Sequence, residues 1–414
     1  MDLENNKLTK EKKMSWIEII VVLFFTGYYI IPAFDMSIVI ITMLFVAYAV
    51  FVFGCDEKVG GLFWSSLGLC LWISIMVAVL TDSTAISEDV TNRDFKVFFS
   101  KFHQLYSMIF PIFLLVRVQK KTNEKQKKFL LITILLIMVY VMAVTIREIE
   151  INPRITRTWS GFGESAKKNV ASYYFIYAVP LIIGTLVLCF NRIKNVALKI
   201  LLIITMVYCF YFLVKAVYTL ALLIAFIGLA IGLLKSTKSN VLRLAIISLT
   251  AVLLIFMGDI LNFIAPKIGS DEMATRLTEV ANFFTSGDAT GYNLNGRLTL
   301  YWKSVVAFLK SPIWGNRRLD FNGHATFLTI LADTGILGGI PFYYLYFNIR
   351  KKAKDLVNDK EGLFDIPFII VLLIGFTNPI EAATPLKLTL CFVCPLMISL
   401  IYEKGRMENE KMGN

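Results

Sequence analysis

The sequence predicts an all-α fold: a polytopic membrane helix bundle of about 12 transmembrane helices, forming a single integral membrane domain over residues 1–414. Three observations predict it. Hydrophobic residues make up 57% of the chain and charged residues only 17%, against about a quarter in soluble proteins. The mean hydropathy is +0.67. The apolar residues come in runs too long for core helices, and in hydrocarbon a backbone must satisfy its own hydrogen bonds, which makes such runs helical.

A span needs about 20 apolar residues to cross roughly 30 Å. The first five runs are 16–34, 36–54, 61–81, 95–118 and 128–146. The next four are 169–190, 196–214, 216–234 and 241–263. The last three are 324–349, 364–379 and 384–402. The fourth run is the least apolar, because it carries Lys101, His103 and Gln104. Pro111, Pro180, Pro341 and Pro395 fall inside runs, where kinks are tolerated. The first run has no A-x-A-like cleavage site and a second follows at once, so it is expected to stay as a span.

Lys and Arg set the orientation. The stretches RVQKKTNEKQKK after the fourth run and RKKAKDLVNDK after the tenth fall on the same side as Lys7, Lys10, Lys12 and Lys13. That side is expected to be cytoplasmic, with both termini on it and the protein in the cell membrane. The net charge of +12 is mostly this signal, and it is scattered between spans rather than gathered into a nucleic-acid-binding patch. The cysteines do not form a disulfide framework. Cys391-x-x-Cys394 has a redox or metal spacing, but it lies in an apolar run without a second pair and reads as small packing residues. No zinc spacing, P-loop or dinucleotide fingerprint occurs, so no cofactor is expected.

Two segments on the opposite side are long: 147–168 and 258–323. Long loops on a compact bundle carry function. The second contains two amphipathic patterns. One, over 271–285, has Met273, Leu277, Val280 and Phe284 at helical spacing; the other, over 297–310, has Leu298, Trp302, Val305, Val306 and Leu309. Both are expected to lie along the membrane surface or to cap the bundle.

The stretch TRLTEVANFFTSGDATGYNLNGRLTLYWKSVVAFLKSPIWGN, followed by GHATFLTILADTGILGGIPFYYLYF, is similar to the signature of bacterial O-antigen and capsular polysaccharide polymerases and the related O-antigen ligases. The resemblance lies in an Arg opening an amphipathic helix (Arg297), a P-x-x-G break (Pro312, Gly315), a His at the head of a span (His324) and the turn Thr334-Gly335-Ile336-Leu337-Gly338. It covers about a quarter of the chain. It implies an enzyme acting on glycans linked through a diphosphate to undecaprenol, on the outer face of the cytoplasmic membrane, with no nucleotide sugar and no metal. A flippase and a chain-length regulator are expected partners beside the membrane lipid.

Such a transfer needs a group that accepts the proton of the attacking hydroxyl, and charge to hold the departing diphosphate. Histidine, with an ordinary pKa of about 6.5, suits the first role. Of two histidines, His324 is the one at the membrane boundary, so the resemblance makes it the catalytic candidate, against a plain interfacial role. Arginine suits the second role, because its planar fork binds phosphate oxygens in pairs. Arg297 is the first candidate. Arg276 is the second, although it also has Glu272 and Glu279 at pairing distance along a helix. The resemblance places a Ser-Arg-like step at the start of the eighth span; here Val214-Lys215 stands there. Lys215 then either binds phosphate, helped by a helix N-terminus, or snorkels. Arg154, Arg157 and Trp159 are possible acceptor-binding residues or members of a solvated loop. Three readings stay open: polymerase, ligase, and a lipid-linked oligosaccharide flippase or secondary transporter.

Overall fold

A computed structural model describes residues 14–34, 36–80, 90–152, 155–156, 168–190, 192–216, 218–267, 271–286, 292–316 and 325–402; at positions 80, 90–94, 271–273, 276, 283, 292–295 and 297 it describes the backbone alone. Every regular element among them is helical. The first helices are α1 Trp16–Ile30, α2 Ile38–Cys55, α3 Gly60–Leu80, α4 Val90–Lys121 and α5 Glu124–Ile151. They are followed by α6 Tyr173–Phe190, α7 Val196–Ala216 and α8 Thr219–Ser236. Then come α9 Asn240–Ile255, α10 Met257–Lys267, α11 Asp271–Ser286 and α12 Tyr292–Lys310. The chain closes with α13 Thr326–Val357, α14 Asp365–Thr377 and α15 Thr384–Tyr402.

Among the described residues nine helices are long and apolar enough to cross a membrane: α2 to α8, α13 and α15. The protein is a polytopic helical membrane protein. α1, with 15 residues, and α14, with 13, are apolar but shorter than a bilayer's hydrocarbon at about 1.5 Å per residue. The ninth run was expected as one helix over 241–263; instead α9 and α10 meet at a bend of 60°. Phe256 leaves helical geometry there (φ −90°, ψ 10°). Two residues on, Gly258 lets α10 lie against α11: a Cβ at 258 would stand 2.4 Å from a methyl of Thr285. The bend therefore trades a straight span for this close contact.

α4, α6 and α15 form the buried centre, while α9 buries none of its residues. Phe45 and Phe110 stack at 4.1 Å between α2 and α4, and Phe327 of α13 lies 5.3 Å from Tyr346. Isoleucine, valine and leucine side chains of α2, α7 and α9 stay exposed, as the apolar solvent of a bilayer requires. One end of the bundle is closed by ion pairs: Arg117 with Glu18 at 2.5 Å, Lys120 with Asp56, Arg192 with Glu361, and Arg350 and Lys354 with Asp365 at 2.8 and 3.0 Å. This end carries the basic stretches around 117–128 and 350–360.

Both amphipathic patterns form helices. α12 begins at Tyr292 rather than at Arg297, so position 297 lies inside the helix instead of opening it. Asn295 and Gly296 had suggested a start there, but the helix runs through them. α12 packs on α13 through small residues, Ser304 and Ala307, and leaves Leu298, Trp302 and Leu309 exposed. The larger apolar side chains thus lie on the face turned away from the bundle.

Candidate functional site

Two glycines shape this region, Gly315 after α12 and Gly335 within α13. Gly315 (φ +76°) and Gly335 (φ +59°) both occupy the left-handed region. Gly335 divides α13, and the bonds lost from the helix are made across the chain. Asn316 N donates to Ala332 O at 2.8 Å, Ile336 N to Pro312 O at 2.8 Å, and Leu337 N to Ile313 O at 3.4 Å. The freed carbonyl of Leu337 accepts from Trp72 Nε1 of α3 at 3.0 Å. A Cβ at 315 would fall 2.1 Å from Asp333 O, and one at 335 would fall 2.3 Å from Ile313 O. The two sequence elements P-x-x-G and TGILG are therefore one interlocked unit.

The same end of the bundle gathers three more ties. Thr326 N donates to Asn378 O at 3.4 Å, Ile380 N donates to Thr326 Oγ1 at 2.8 Å, and Tyr301 of α12 donates its hydroxyl to Thr377 O at 3.0 Å. Tyr173 of α6 donates to Asn378 Oδ1 at 3.0 Å, and its ring lies 5.9 Å from that of Tyr218. Tyr218 in turn donates to Thr156 O at 2.9 Å. The segment 377–383 is thus the hub on which α6, α12 and α13 converge.

Glu381 of the hub belongs to a row of ionisable side chains whose other members stand in otherwise apolar helices. Lys101 of α4 pairs with Glu381, their side chains 15% and 13% exposed, so the pair borders accessible space. Lys387 is buried on α15 and donates to Gln104 O and Ser107 Oγ, both at 2.8 Å. Glu381 and Lys101 are among the charges acting on Lys387, and the same two act on Asp333 of α13. With all four ionised, the two ammonium groups and two carboxylates sum to zero. Asp333 has its Oδ1 enclosed and without a hydrogen-bond partner among the described residues. Next to Lys387, α15 widens into a π-turn over Thr389–Val393, a distortion frequent at functional sites.

The sequence candidates fare unequally. His324, Arg154, Arg157 and Trp159 lie outside the described residues. Position 297 is on α12, one turn before Tyr301, and position 276 is on α11, which packs against α10 rather than on the hub. Lys215 was expected in the turn between two spans, beside a helix N-terminus. It lies instead in the last turn of α7, since the helix continues to Ala216 and α8 starts only at Thr219. A helix C-terminus favours a cation. The Lys215 ammonium sits 3.6 Å from Glu150 Oε1 and 5.7 Å from the centre of the Tyr211 ring. His103 has both ring nitrogens engaged. Thr42 spends its hydroxyl proton on Ile38 O at 2.6 Å, so it accepts from Nδ1 at 2.7 Å, while Nε2 faces the Tyr28 hydroxyl at 3.4 Å. His103 therefore ties α1, α2 and α4 together.

Asp333, Glu381 and Lys387 were not singled out from the sequence. The signal was present for two of them, an ionisable residue inside an apolar run. Glu381 falls between two runs and gave none. Comparisons with family models, with curated proteins and with solved structures return no match.

Proposed function

We propose that the protein is a membrane glycosyltransferase: a polysaccharide polymerase that moves a growing glycan from undecaprenyl diphosphate to the next lipid-linked repeat unit. In this reading the chain makes about 12 crossings, with α1, α14 and the bent pair counted among them, both termini are cytoplasmic, and the hub end faces outward. The acceptor hydroxyl attacks the anomeric carbon, the bond to the lipid diphosphate breaks, and the diphosphate departs with the electron pair. His324 takes the hydroxyl proton. Arg297, with Arg276 and Lys215 as further cations, holds the diphosphate. Arg154, Arg157 and Trp159 are assigned to the acceptor.

The observation that carries this reading is the interlock at Gly315 and Gly335. It joins the two motif elements that prompted the resemblance, beside a hub that also anchors the helix bearing position 297. One alternative has its own support. Broken helices and buried charges also suit a secondary transporter for lipid-linked oligosaccharides, and the bend at Phe256 and the row at Lys101 supply both.

Purified protein in liposomes decides between them. The substrate is the lipid-linked repeat unit extracted from cells lacking this protein. Wild type should produce a ladder of longer glycans, and His324→Ala should lower the rate about 10²–10⁴-fold. Movement of the lipid across the bilayer without any ladder would establish the transporter instead.

A further inference from the structure

We infer that Asp333 is the carboxylate that binds the acceptor glycan, accepting hydrogen bonds from sugar hydroxyls at the Gly315–Gly335 interlock. This rests on the polymerase reading.

The backbone of Asp333 is held on several sides. Its carbonyl lies against Gly315, Ala332 O accepts from Asn316 N, and Gly335 breaks the helix two residues later. The interlock thus sets where the carboxylate stands. An enclosed carboxylate oxygen without a donor is costly and calls for a partner. Oδ1 of Asp333 has none among the described residues, although the residue keeps part of its surface open.

The surrounding charges choose the kind of partner. Lys101 is engaged with Glu381, and Lys387 with Gln104 and Ser107. The four side chains sum to zero when all are ionised, so a bound cation would add net charge to a group that already holds Lys101 and Lys387. An anion would meet the carboxylate itself. A neutral donor fits both demands, and a sugar presents several adjacent hydroxyls. The diphosphate, being anionic, belongs elsewhere, on the arginines.

The test separates glycan from lipid. Undecaprenyl diphosphate without sugar, and the extracted lipid-linked repeat unit, are titrated onto protein in nanodiscs. Wild type should bind the glycan-bearing lipid about tenfold more tightly than the bare one. Asp333→Asn, which loses the charge and one of the two acceptor oxygens, should cut most of that increment while binding the bare lipid within about twofold of wild type, which also certifies its fold. A second measurement uses wild type alone: labelling of Asp333 by dicyclohexylcarbodiimide, located by peptide mass, should be slowed by the glycan-bearing lipid and not by the bare one. An increment kept by Asp333→Asn, an increment absent from wild type, or equal protection by the two lipids would overturn the assignment. The polymerase reading fails separately, by the absence of a ladder from wild type in liposomes.

Discussion

Position 297 sits one helical turn from Tyr301, whose hydroxyl ties α12 to Thr377, so a charge there is carried by a helix fixed to the hub. Arg297→Ala should remove long polysaccharide from cells while the protein still inserts. Arg297→Lys should restore only part of it, because an ammonium keeps the charge but loses the paired phosphate contact. Full-length polymer from Arg297→Ala would take this residue out of the site. Lys215→Arg should be tolerated, since a guanidinium also pairs with Glu150 and suits the C-terminus of α7. Single residues were only partly legible in the sequence. Arg297 stood out through its neighbours, whereas Lys101, Asp333 and Lys387 each looked like one polar residue in an apolar run. Their meaning depends on assembling α4, α13 and α15, whose residues are far apart along the chain.

Each apolar run contains a helix, because hydrophobic length alone dictates a helix in hydrocarbon. Breaks were harder to read. TGILG announced a turn, and the structure makes it the helix break at Gly335. Phe256 carried no such sign, since its bend follows from the contact of Gly258 with α11, a tertiary matter. The interlock makes a prediction about stability. Gly315→Ala and Gly335→Ala each place a methyl within 2.3 Å of backbone. Each should cost about 1–3 kcal/mol from the backbone angle, with the collision added. Gly68→Ala is the control: nothing lies within 4 Å of a Cβ there, and a mid-helix alanine should gain about 0.5–1 kcal/mol. Thermal unfolding in detergent compares them, and a Gly315→Ala midpoint equal to wild type would remove the constraint assigned to this contact.

For the molecule as a whole, the two ends of the bundle differ in chemistry. One is closed by exposed and half-buried ion pairs and bears the basic stretches. The other collects tyrosines, Asn378 and the charge row around 377–383. The excess of Lys and Arg predicts that the first end is cytoplasmic. Arg297→Cys and Lys351→Cys, each in a Cys55→Ser background because Cys55 is the exposed thiol, report on it directly. A membrane-impermeant thiol reagent on intact cells should label position 297 and spare position 351. The reverse pattern would invert the molecule and remove the hub from the outer face.

The crossed hydrogen bonds at Gly315 and Gly335 also bear on biogenesis. Residues 312–316 are synthesised before α13, so when that helix leaves the ribosome its kink already has donors and acceptors waiting. Without them, Ile336 and Leu337 would find acceptors only in a straight helix. The bent form of α13 therefore leans on residues 312–316, and a variant in which they cannot dock should reach the membrane as a complete chain whose α13 lacks the crossed bonds at Gly335.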